Sequence, residues 1–206
     1  MIRDPRSRLR LLCVLAFAAA AVSCTTLQPQ PENMSLHFLT LPAQPRPALA
    51  VREVVIEVAP PRAWPGFDTP QMAYVRRPYE LEYFAMSRWV DTPSRMLAPL
   101  LVRALEQSGR FRTVVQAPSG VAATYRLDVE IARLLQDFST RPSRIEVVLR
   151  VQITDVATKR VIATRMFEDI EEAPSENPAG GVAAANAALR RVLERLADFC
   201  AELTLR

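Results

Sequence analysis

Three consecutive stretches of the sequence constrain the fold of this chain more than any other feature. Residues 125–131 and 145–153 carry an apolar side chain at every second position, and residues 161–167 follow a predicted turn as their partner strand. Because successive side chains of a strand point to opposite faces, the pattern predicts strands with one buried face. The pattern slips at Leu134, where we expect a bulge or a strand end. Three antiparallel strands, covered on one side only, follow from this pattern.

Two amphipathic helices are predicted to provide that cover. Thr92-Pro93 and Asn177-Pro178 each place a capping residue before a proline, which is typical of a helix start. Gly109 is the expected end of the first helix, and Pro99 within it predicts a kink or a loosening. The last helix carries an apolar stripe at helical spacing: Val182, Ala185, Leu189, Val192, Leu193, Leu196, Phe199, Cys200 and Leu203.

Shorter strands are predicted in the first half of the chain. Residues 51–58 alternate, residues 72–76 and 80–84 have the spacing of a hairpin, and residues 111–115 form one more short strand. The predicted fold class is therefore α+β. We expect a single domain with a mainly antiparallel β-sheet and two amphipathic helices packed on one face.

The first 24 residues have the character of an export signal. Arg3, Arg6, Arg8 and Arg10 precede an unbroken apolar run over residues 11–22. A helix that crosses a bilayer needs about 20 apolar residues, so this run is too short to span one. Its length is typical of the apolar part of a secretory signal.

The residues that end this run, Ala21-Val22-Ser23-Cys24, resemble the bacterial lipoprotein signal. The resemblance implies cleavage between Ser23 and Cys24 and a lipid bound covalently to the Cys24 sulfur. Ala21 departs from the family pattern, in which leucine is most frequent at this place. An ordinary secretory signal with a chance cysteine is the alternative. Thr25, where an aspartate would favour retention, agrees with sorting to the outer membrane.

These observations divide the chain into three parts. Residues 1–23 are the predicted signal peptide, residues 24–35 a lipidated flexible tether, and residues 36–206 the folded domain. The tether is polar and contains proline, without any periodicity. At full extension it spans at most ~35 Å, which lets the domain stand off a membrane surface.

Charge and cysteine content argue against a nucleic-acid-binding protein and against a domain held together by disulfides. The sequence has 26 basic and 22 acidic residues, but four of the arginines and one aspartate lie in the signal. The remainder is nearly neutral, so nucleic acid is not an expected partner. Cys13 leaves with the signal and Cys24 carries lipid, which leaves Cys200 without a disulfide partner. We expect Cys200 to be a buried apolar residue of the last helix.

The sequence contains no pattern that indicates catalysis. His37 is the single histidine and has no metal ligand at suitable spacing, and Gly180-Gly181 lacks the lysine of a phosphate-binding loop. Four acidic residues near strand ends are expected to be solvated: Asp155, Asp169, Glu171 and Glu172. We therefore expect no enzyme activity, no bound metal and no cofactor other than the lipid on Cys24.

An aromatic cluster between residues 74 and 89 is a candidate partner surface. Tyr74, Arg76 and Tyr83 are the residues that we assign to it. Trp89, just before the first helix, is expected to pack in the core instead.

Taken in order, these features resemble the ABC-type transport auxiliary lipoprotein family, which includes the paraquat-inducible protein C type. The resemblance covers nearly the whole of the mature chain. It rests on Ser23-Cys24, Leu36-His37-Phe38-Leu39, residues 54–58, Ala73-Tyr74-Val75-Arg76, Leu81-Glu82-Tyr83, Arg88-Trp89, Tyr125-Arg126-Leu127, Ile153-Thr154-Asp155 and Arg165-Met166-Phe167.

The resemblance implies a function without catalytic residues. Members of the family are lipoproteins anchored in the outer membrane on its periplasmic side. They work beside an ABC transporter and a mammalian-cell-entry (MCE) protein that move lipids or other hydrophobic molecules, and some assemble as homo-oligomeric rings. Two alternatives remain open: a periplasmic lipid-binding carrier, with room left by Ala183, Ala184, Ala187 and Ala188, and an outer-membrane assembly lipoprotein.

Overall fold

The computed structural model of the chain describes residues 33–44 and 51–203. The predicted signal, Ser23, Cys24 and nearly all of the tether lie outside these residues. Along the described part of the chain the elements are β1 (Ser35–His37), β2 (Arg52–Val58), β3 (Arg62–Ala63), β4 (Gln71–Val75), β5 (Leu81–Trp89), α1 (Pro93–Gln107), β6 (Phe111–Gln116), β7 (Tyr125–Asp137), β8 (Arg144–Asp155), β9 (Val161–Glu172) and α2 (Pro178–Leu203).

The long strand β7 is the element to which most of the sheet is attached. Along one edge it pairs antiparallel with β8 over its whole length, and β8 in turn pairs antiparallel with β9. Along its other edge β7 pairs in parallel with three short strands in succession: β2, then β3, then β4. Pro60 and Pro61 separate β2 from β3, since proline cannot donate to a ladder of backbone hydrogen bonds.

The remaining strands extend the two ends of this arrangement. β6 pairs in parallel with β2, β5 pairs antiparallel with β4, and β1 pairs in parallel with β5. The result is one nine-stranded mixed sheet in the described residues. The predicted α+β class and the three antiparallel strands are confirmed, and the long ladders are antiparallel. The parallel pairs come from the short strands.

A bulge in β7 explains the slip in the apolar pattern near Leu134. The pairing of β7 with β8 shifts register between Ile131 and Arg133, and the strand then continues to Asp137. Leu134 is thereby returned to the buried face, where it is 6% exposed. Of the two outcomes predicted from the sequence, a bulge or a strand end, the structure has the bulge.

The helix ends follow the capping signals in the sequence. Asn177 Oδ1 accepts a hydrogen bond from the Gly180 backbone N–H at 2.9 Å, which caps α2 as predicted. Thr92 occupies the same place before α1 but forms no such bond. After α1, Gly109 has the left-handed φ of 67° that a residue following a helix often adopts. The helix α1 runs without a break through Pro99.

Both helices pack on the same face of the sheet and bury its apolar side chains. The core joins residues of α1 and α2 to Leu127, Val129 and Ile131 of β7 and to the alternate residues of β8. Trp89 and Cys200 belong to it, at 3% and 0% exposure, so both predictions of burial are confirmed. Each large apolar side chain buried in this way contributes roughly 1.5–3 kcal/mol to folding.

No helix within residues 33–44 and 51–203 combines the length and the apolar character needed to cross a membrane.

Candidate docking surfaces

Two of the three predicted partner residues lie together at the end of the β4–β5 hairpin. The Tyr74 hydroxyl donates to Glu82 Oε2 at 3.0 Å, and Arg76 Nε donates to Glu82 Oε1 at 3.0 Å. A second guanidinium nitrogen of Arg76 donates to the Tyr74 oxygen at 3.1 Å. The guanidinium carbon lies 5.2 Å from the centre of the Tyr74 ring, a distance that allows a cation–π interaction.

The local sequence explains this cluster. Tyr74 and Arg76 are two residues apart along the β4 side of the hairpin, and Tyr74 lies directly opposite Glu82 in the antiparallel register. Glu82 was not among the predicted residues. Glu82 lies diagonally across the hairpin from Arg76, and an acidic residue at that position relative to an arginine is the signal that identifies it.

The electrostatics of the cluster hold its charges in place. The hydrogen bond from Arg76 holds the pKa of the Glu82 carboxyl below its usual range. Burial, followed by the hydrogen bond to Glu82, raises the pKa of Tyr74. Arg76 remains charged and more than half exposed. The cluster therefore presents one cation to the surroundings, while the half-buried Tyr74 ring packs against Phe84 and Phe138.

The turn of the same hairpin carries an unusual tyrosine. Tyr79 is fully exposed and has a φ of 69°, in the left-handed region that disfavours residues with a side chain. Residues held in this region cost roughly 1–3 kcal/mol each and cluster at functional sites. We refer to Tyr74, Arg76, Tyr79 and Glu82 as the hairpin tip.

Tyr83, the third predicted partner residue, lies away from the hairpin tip. It follows Glu82 in β5 and therefore points to the opposite face of the sheet. Its hydroxyl donates to the backbone oxygen of Gly66 at 3.0 Å. This bond holds the loop between β3 and β4 against the sheet, so the three residues do not form one surface.

The middle of the sheet face opposite the helices, along β7 and β8, is polar. Glu130 accepts from Arg62 at 2.8 Å and from Arg150 at 3.1 Å, and Arg133 pairs with Glu146 at 3.0 Å. Pairs of this kind contribute little stability when exposed, but they keep a sheet face soluble. The prediction of a sheet covered on one side only agrees with this arrangement.

Two of the acidic residues expected to be solvated bind the last helix instead. Arg191 donates to Asp169 at 2.6 Å and also to Glu171, and Arg195 donates to Asp169 at 3.0 Å. The Asp169 side chain is only 10% exposed. The hydrogen bond to Asp169 raises the pKa of Arg191. These residues connect β9 to α2, which is a structural role.

The space between sheet and helices is nearly filled. Leu39, Leu97, Leu149 and Leu189 are among the residues around a void of about 10 Å³. A void of this size holds no more than about one water molecule. Ala184 and Ala188 are buried at close contact rather than beside an opening. This void is too small for an acyl chain, and the larger clefts, of about 240 and 410 Å³, lie beside the C-terminal end of α1.

The described residues contain no group of histidine, cysteine, aspartate or glutamate side chains that is arranged to hold a metal ion. His37 lies in β1 opposite Trp89 of β5, away from any carboxylate cluster of that kind.

Solved structures with the same fold are found among bacterial proteins. Protein XCC0632 from Xanthomonas campestris, described under the family model DUF330, superposes with a TM-score of 0.76 at 24% identity, over 83% of this chain and 97% of that one. Protein CT253 from Chlamydia trachomatis gives a TM-score of 0.52 at 9% identity, over 73% and 96%. At these identities the likeness concerns the fold alone. None of the curated proteins matches the chain.

A family model assigns the chain more specifically. The model for the ABC-type transport auxiliary lipoprotein component matches residues 37–197, which include every strand and helix from β2 to β9 and most of α2. The match confirms the family indicated by the sequence. The chain therefore belongs to the family of ABC-type transport auxiliary lipoprotein components.

Proposed function

We propose that this protein is a non-enzymatic adaptor, anchored by a lipid on Cys24 to the periplasmic side of the outer membrane. In this role it presents its folded domain to an MCE-domain protein of an ABC transport system. The cargo of that system is a lipid or another hydrophobic molecule. The observation that carries the proposal is the family match over residues 37–197, together with the export signal that ends at Cys24.

The anchor is supported by the chemistry of acylation. A single acyl chain gives only marginal binding to a bilayer, whereas two or more give stable anchoring. The lipoprotein signal implies a diacylglyceryl group on Cys24, which meets this requirement. The nearly neutral charge of the mature chain adds little electrostatic attraction, so attachment depends on the lipid.

The hairpin tip is the surface that we assign to the partner. Tyrosine and arginine are the residue types that most often dominate binding energy at protein interfaces. The tip offers both in an exposed position, and its Arg76–Glu82 pair holds the Tyr74 ring in one orientation. The strained φ of Tyr79 is maintained at a cost in stability, which a binding role accounts for.

Transport of the cargo is assigned to the partner proteins rather than to this chain. The core between sheet and helices holds a void of only about 10 Å³, and the larger clefts beside the C-terminal end of α1 are open to solvent. A carrier would need a cavity large enough for an acyl chain. The adaptor role therefore fits the packing better than the carrier role.

Co-purification tests the proposal. We expect the full-length protein, extracted in mild detergent, to recover an MCE-domain protein, and we expect Tyr79→Gly to lose it. Glycine adopts a positive φ without strain, so this substitution should leave stability equal or higher while it removes the tyrosine side chain. Loss of the partner without loss of stability would assign Tyr79 to binding.

The matched control is Lys159→Gly in the β8–β9 turn, where Lys159 has a φ of 56°. It relieves the same kind of strain far from the hairpin tip and should retain the partner. Recovery of the lipoprotein alone, even after mild cross-linking, would contradict the adaptor role. If the Tyr79→Gly and Lys159→Gly variants recover the MCE-domain protein equally well, the hairpin tip is not part of the interface.

A further inference from the structure

Five large apolar side chains are exposed on one face of the sheet at the β1 edge. They are Met34, Leu36, Phe38, Met86 and Val90, with exposed fractions between 36% and 60%. We call this set the apolar face. Single exposed apolar residues are common on proteins, but a contiguous group marks an interaction site.

The strand register shows that the five side chains are neighbours. Leu36 of β1 lies opposite Arg88 of β5 in the parallel pair. Met34 and Phe38 flank β1 at either end, Met86 precedes Arg88 within β5, and Val90 follows β5, where its backbone N–H donates to the His37 oxygen at 2.8 Å. Side chains two residues apart on a strand share a face, and so do residues directly opposite.

The intervening residues confirm this assignment of faces. Ser87 and Trp89 are buried, at 8% and 3% exposure, and His37 lies opposite Trp89. These residues point toward the helices. The apolar face therefore belongs to the side of the sheet that no helix covers, at an edge strand whose pairing in the described chain is with β5 alone.

The charge at the centre of the apolar face is positive. Arg88 is exposed and has neither an ion pair nor a side-chain hydrogen bond with another described residue. Its register neighbour on β4 is Gln71, which is uncharged. Asp91 follows Val90 but pairs with Arg95 at 3.2 Å. An unneutralised guanidinium among apolar side chains suits a phosphate group next to hydrocarbon.

The apolar face also lies at the point where the tether enters the domain. Nine residues separate Cys24 from Met34, the first residue of the apolar face. A chain of this length spans at most roughly 35 Å. A lipid on Cys24 would therefore keep the apolar face within this distance of the bilayer at all times.

We propose that the apolar face lies in the headgroup region of the bilayer that holds the lipid anchor, with Arg88 at the level of the phosphates. This inference rests on the proposed anchor at Cys24. Membrane contact fits the combination of aliphatic residues, one phenylalanine and a central arginine, which is typical of surfaces that bind at a lipid interface. Contact of this kind orients the domain, which a flexible tether alone does not.

A fluorescent probe at two positions tests the orientation. The lipidated Leu36→Cys and Met166→Cys variants are labelled with an environment-sensitive dye and reconstituted into vesicles of phosphatidylethanolamine and phosphatidylglycerol. Leu36 and Met166 are similarly exposed, at 56% and 48%, and each lies on a strand with one free edge. We expect the dye at position 36 to shift to the blue and to be quenched by lipids that carry a doxyl group near the headgroup. The dye at position 166 should show neither change.

Two further variants separate contact from simple proximity. Phe38→Asp leaves the tether unchanged but places a charge in the apolar face, so quenching at position 36 should be lost. Arg88→Gln should weaken insertion into the anionic vesicles by about fivefold, the usual effect of one basic residue near such a surface. Retained quenching in the Phe38→Asp variant would overturn the inference, because nearness alone would then explain the signal.

The remaining outcomes distinguish this inference from the proposed anchor. If the labelled protein floats with vesicles but position 36 is not quenched, the anchor stands and the membrane contact is wrong. If the chain fails to float, the anchor fails and takes this inference with it. A blue shift without vesicles, accompanied by disulfide cross-linking between two Leu36→Cys chains, would assign the apolar face to a second copy of the chain.

Discussion

A single arginine of the last helix connects that helix to the edge of the sheet. Arg191 donates to both Asp169 and Glu171, which lie two residues apart on the helix-facing side of β9. The Asp169 carboxylate is mostly buried, so it depends on these donors for the hydrogen bonds that water would otherwise provide. The neighbouring Arg190 has a weaker role, since its exposed pair with Glu194 is within the helix at 3.6 Å.

We predict that Arg191→Ala lowers the free energy of unfolding by about 1–2 kcal/mol, because Asp169 and Glu171 lose a charge-assisted donor. Urea denaturation of the wild-type protein and of the Arg191→Ala variant measures this difference in free energy. Arg190→Ala is the control and should cost less than about 0.5 kcal/mol, as exposed pairs within a helix usually do. Equal costs for the two substitutions would show that the contacts to β9 contribute nothing.

Cys200 predicts a dependence of stability on pH. Burial raises the pKa of its thiol to about 12, whereas an exposed cysteine titrates near about 8.5. Below the lower value both states are protonated and the full stability is present. As the pH rises between these values the unfolded thiol ionises while the folded thiol does not, so the folded state is progressively destabilised.

The expected result is a free energy of unfolding that falls in this alkaline range, together with a thiol that resists alkylation at pH 8 until the protein unfolds. In the Cys200→Ala variant the free energy of unfolding should fall less steeply over this pH range, because the titrating thiol has been removed. Rapid alkylation of the native protein at Cys200 would mean that the C-terminal half of α2 opens readily.

At the scale of single residues, the sequence predicts burial better than it predicts partners. Cys200 and Trp89 are buried as expected because an apolar stripe and a strand-to-helix junction are local patterns. The grouping of Tyr74 with Arg76, and the separation of Tyr83, follow from strand alternation once β4 and β5 are paired. The pairing of Asp169 with Arg191 depends on how a helix lies on a distant strand, which no local pattern specifies.

Among the elements, helix α1 contains a residue that works against it. Pro99 lies in the middle of the helix on its exposed side. It removes one backbone hydrogen bond and crowds the preceding turn, yet the helix continues to Gln107 because its apolar face is buried against the sheet. The kink predicted from the sequence does not appear as a break in the helix.

We predict that Pro99→Ala raises the free energy of unfolding by about 1–2 kcal/mol. The helix recovers a hydrogen bond, and the gain is reduced because alanine leaves the unfolded chain more flexible than proline does. Thermal unfolding followed by circular dichroism provides the measurement. Pro93→Ala is the control, since proline is favoured at the first position of a helix and its loss should not stabilise the protein.

The long strands of the sheet can be predicted from the sequence, whereas the short strands and their parallel pairing cannot. The β7 and β8 strands are predictable because each carries a long alternating pattern, and β9 because a short turn joins it to β8. The β3 strand has two residues, too few for any pattern, and exists because the chain after Pro61 lies along the edge of β7. The parallel pairing of β2, β4 and β6 joins segments distant in sequence, for which periodicity gives no register.

On the scale of the whole molecule, strand β5 connects the two proposed surfaces. The hairpin tip surrounds the start of β5 and includes Glu82, and the apolar face lies at the other end, from Met86 to Val90 just beyond the strand. Nine residues of extended chain span roughly 30 Å. If the apolar face rests on the bilayer, the end of β5 that carries it lies along the membrane surface, and the hairpin tip is separated from this contact by most of the length of the strand. The two proposed surfaces would then occupy opposite ends of one strand.

The lipid anchor is the claim on which the adaptor account depends, and it concerns Cys24, outside the described residues. Metabolic labelling with palmitate, followed by membrane fractionation of the wild-type chain and the Cys24→Ser variant, tests it most directly. We predict that label enters the wild-type protein, which fractionates with the outer membrane, and that the variant is unlabelled and leaves the membrane. Absence of label from the wild type, or a Cys24→Ser protein that matures and fractionates unchanged, would contradict the account.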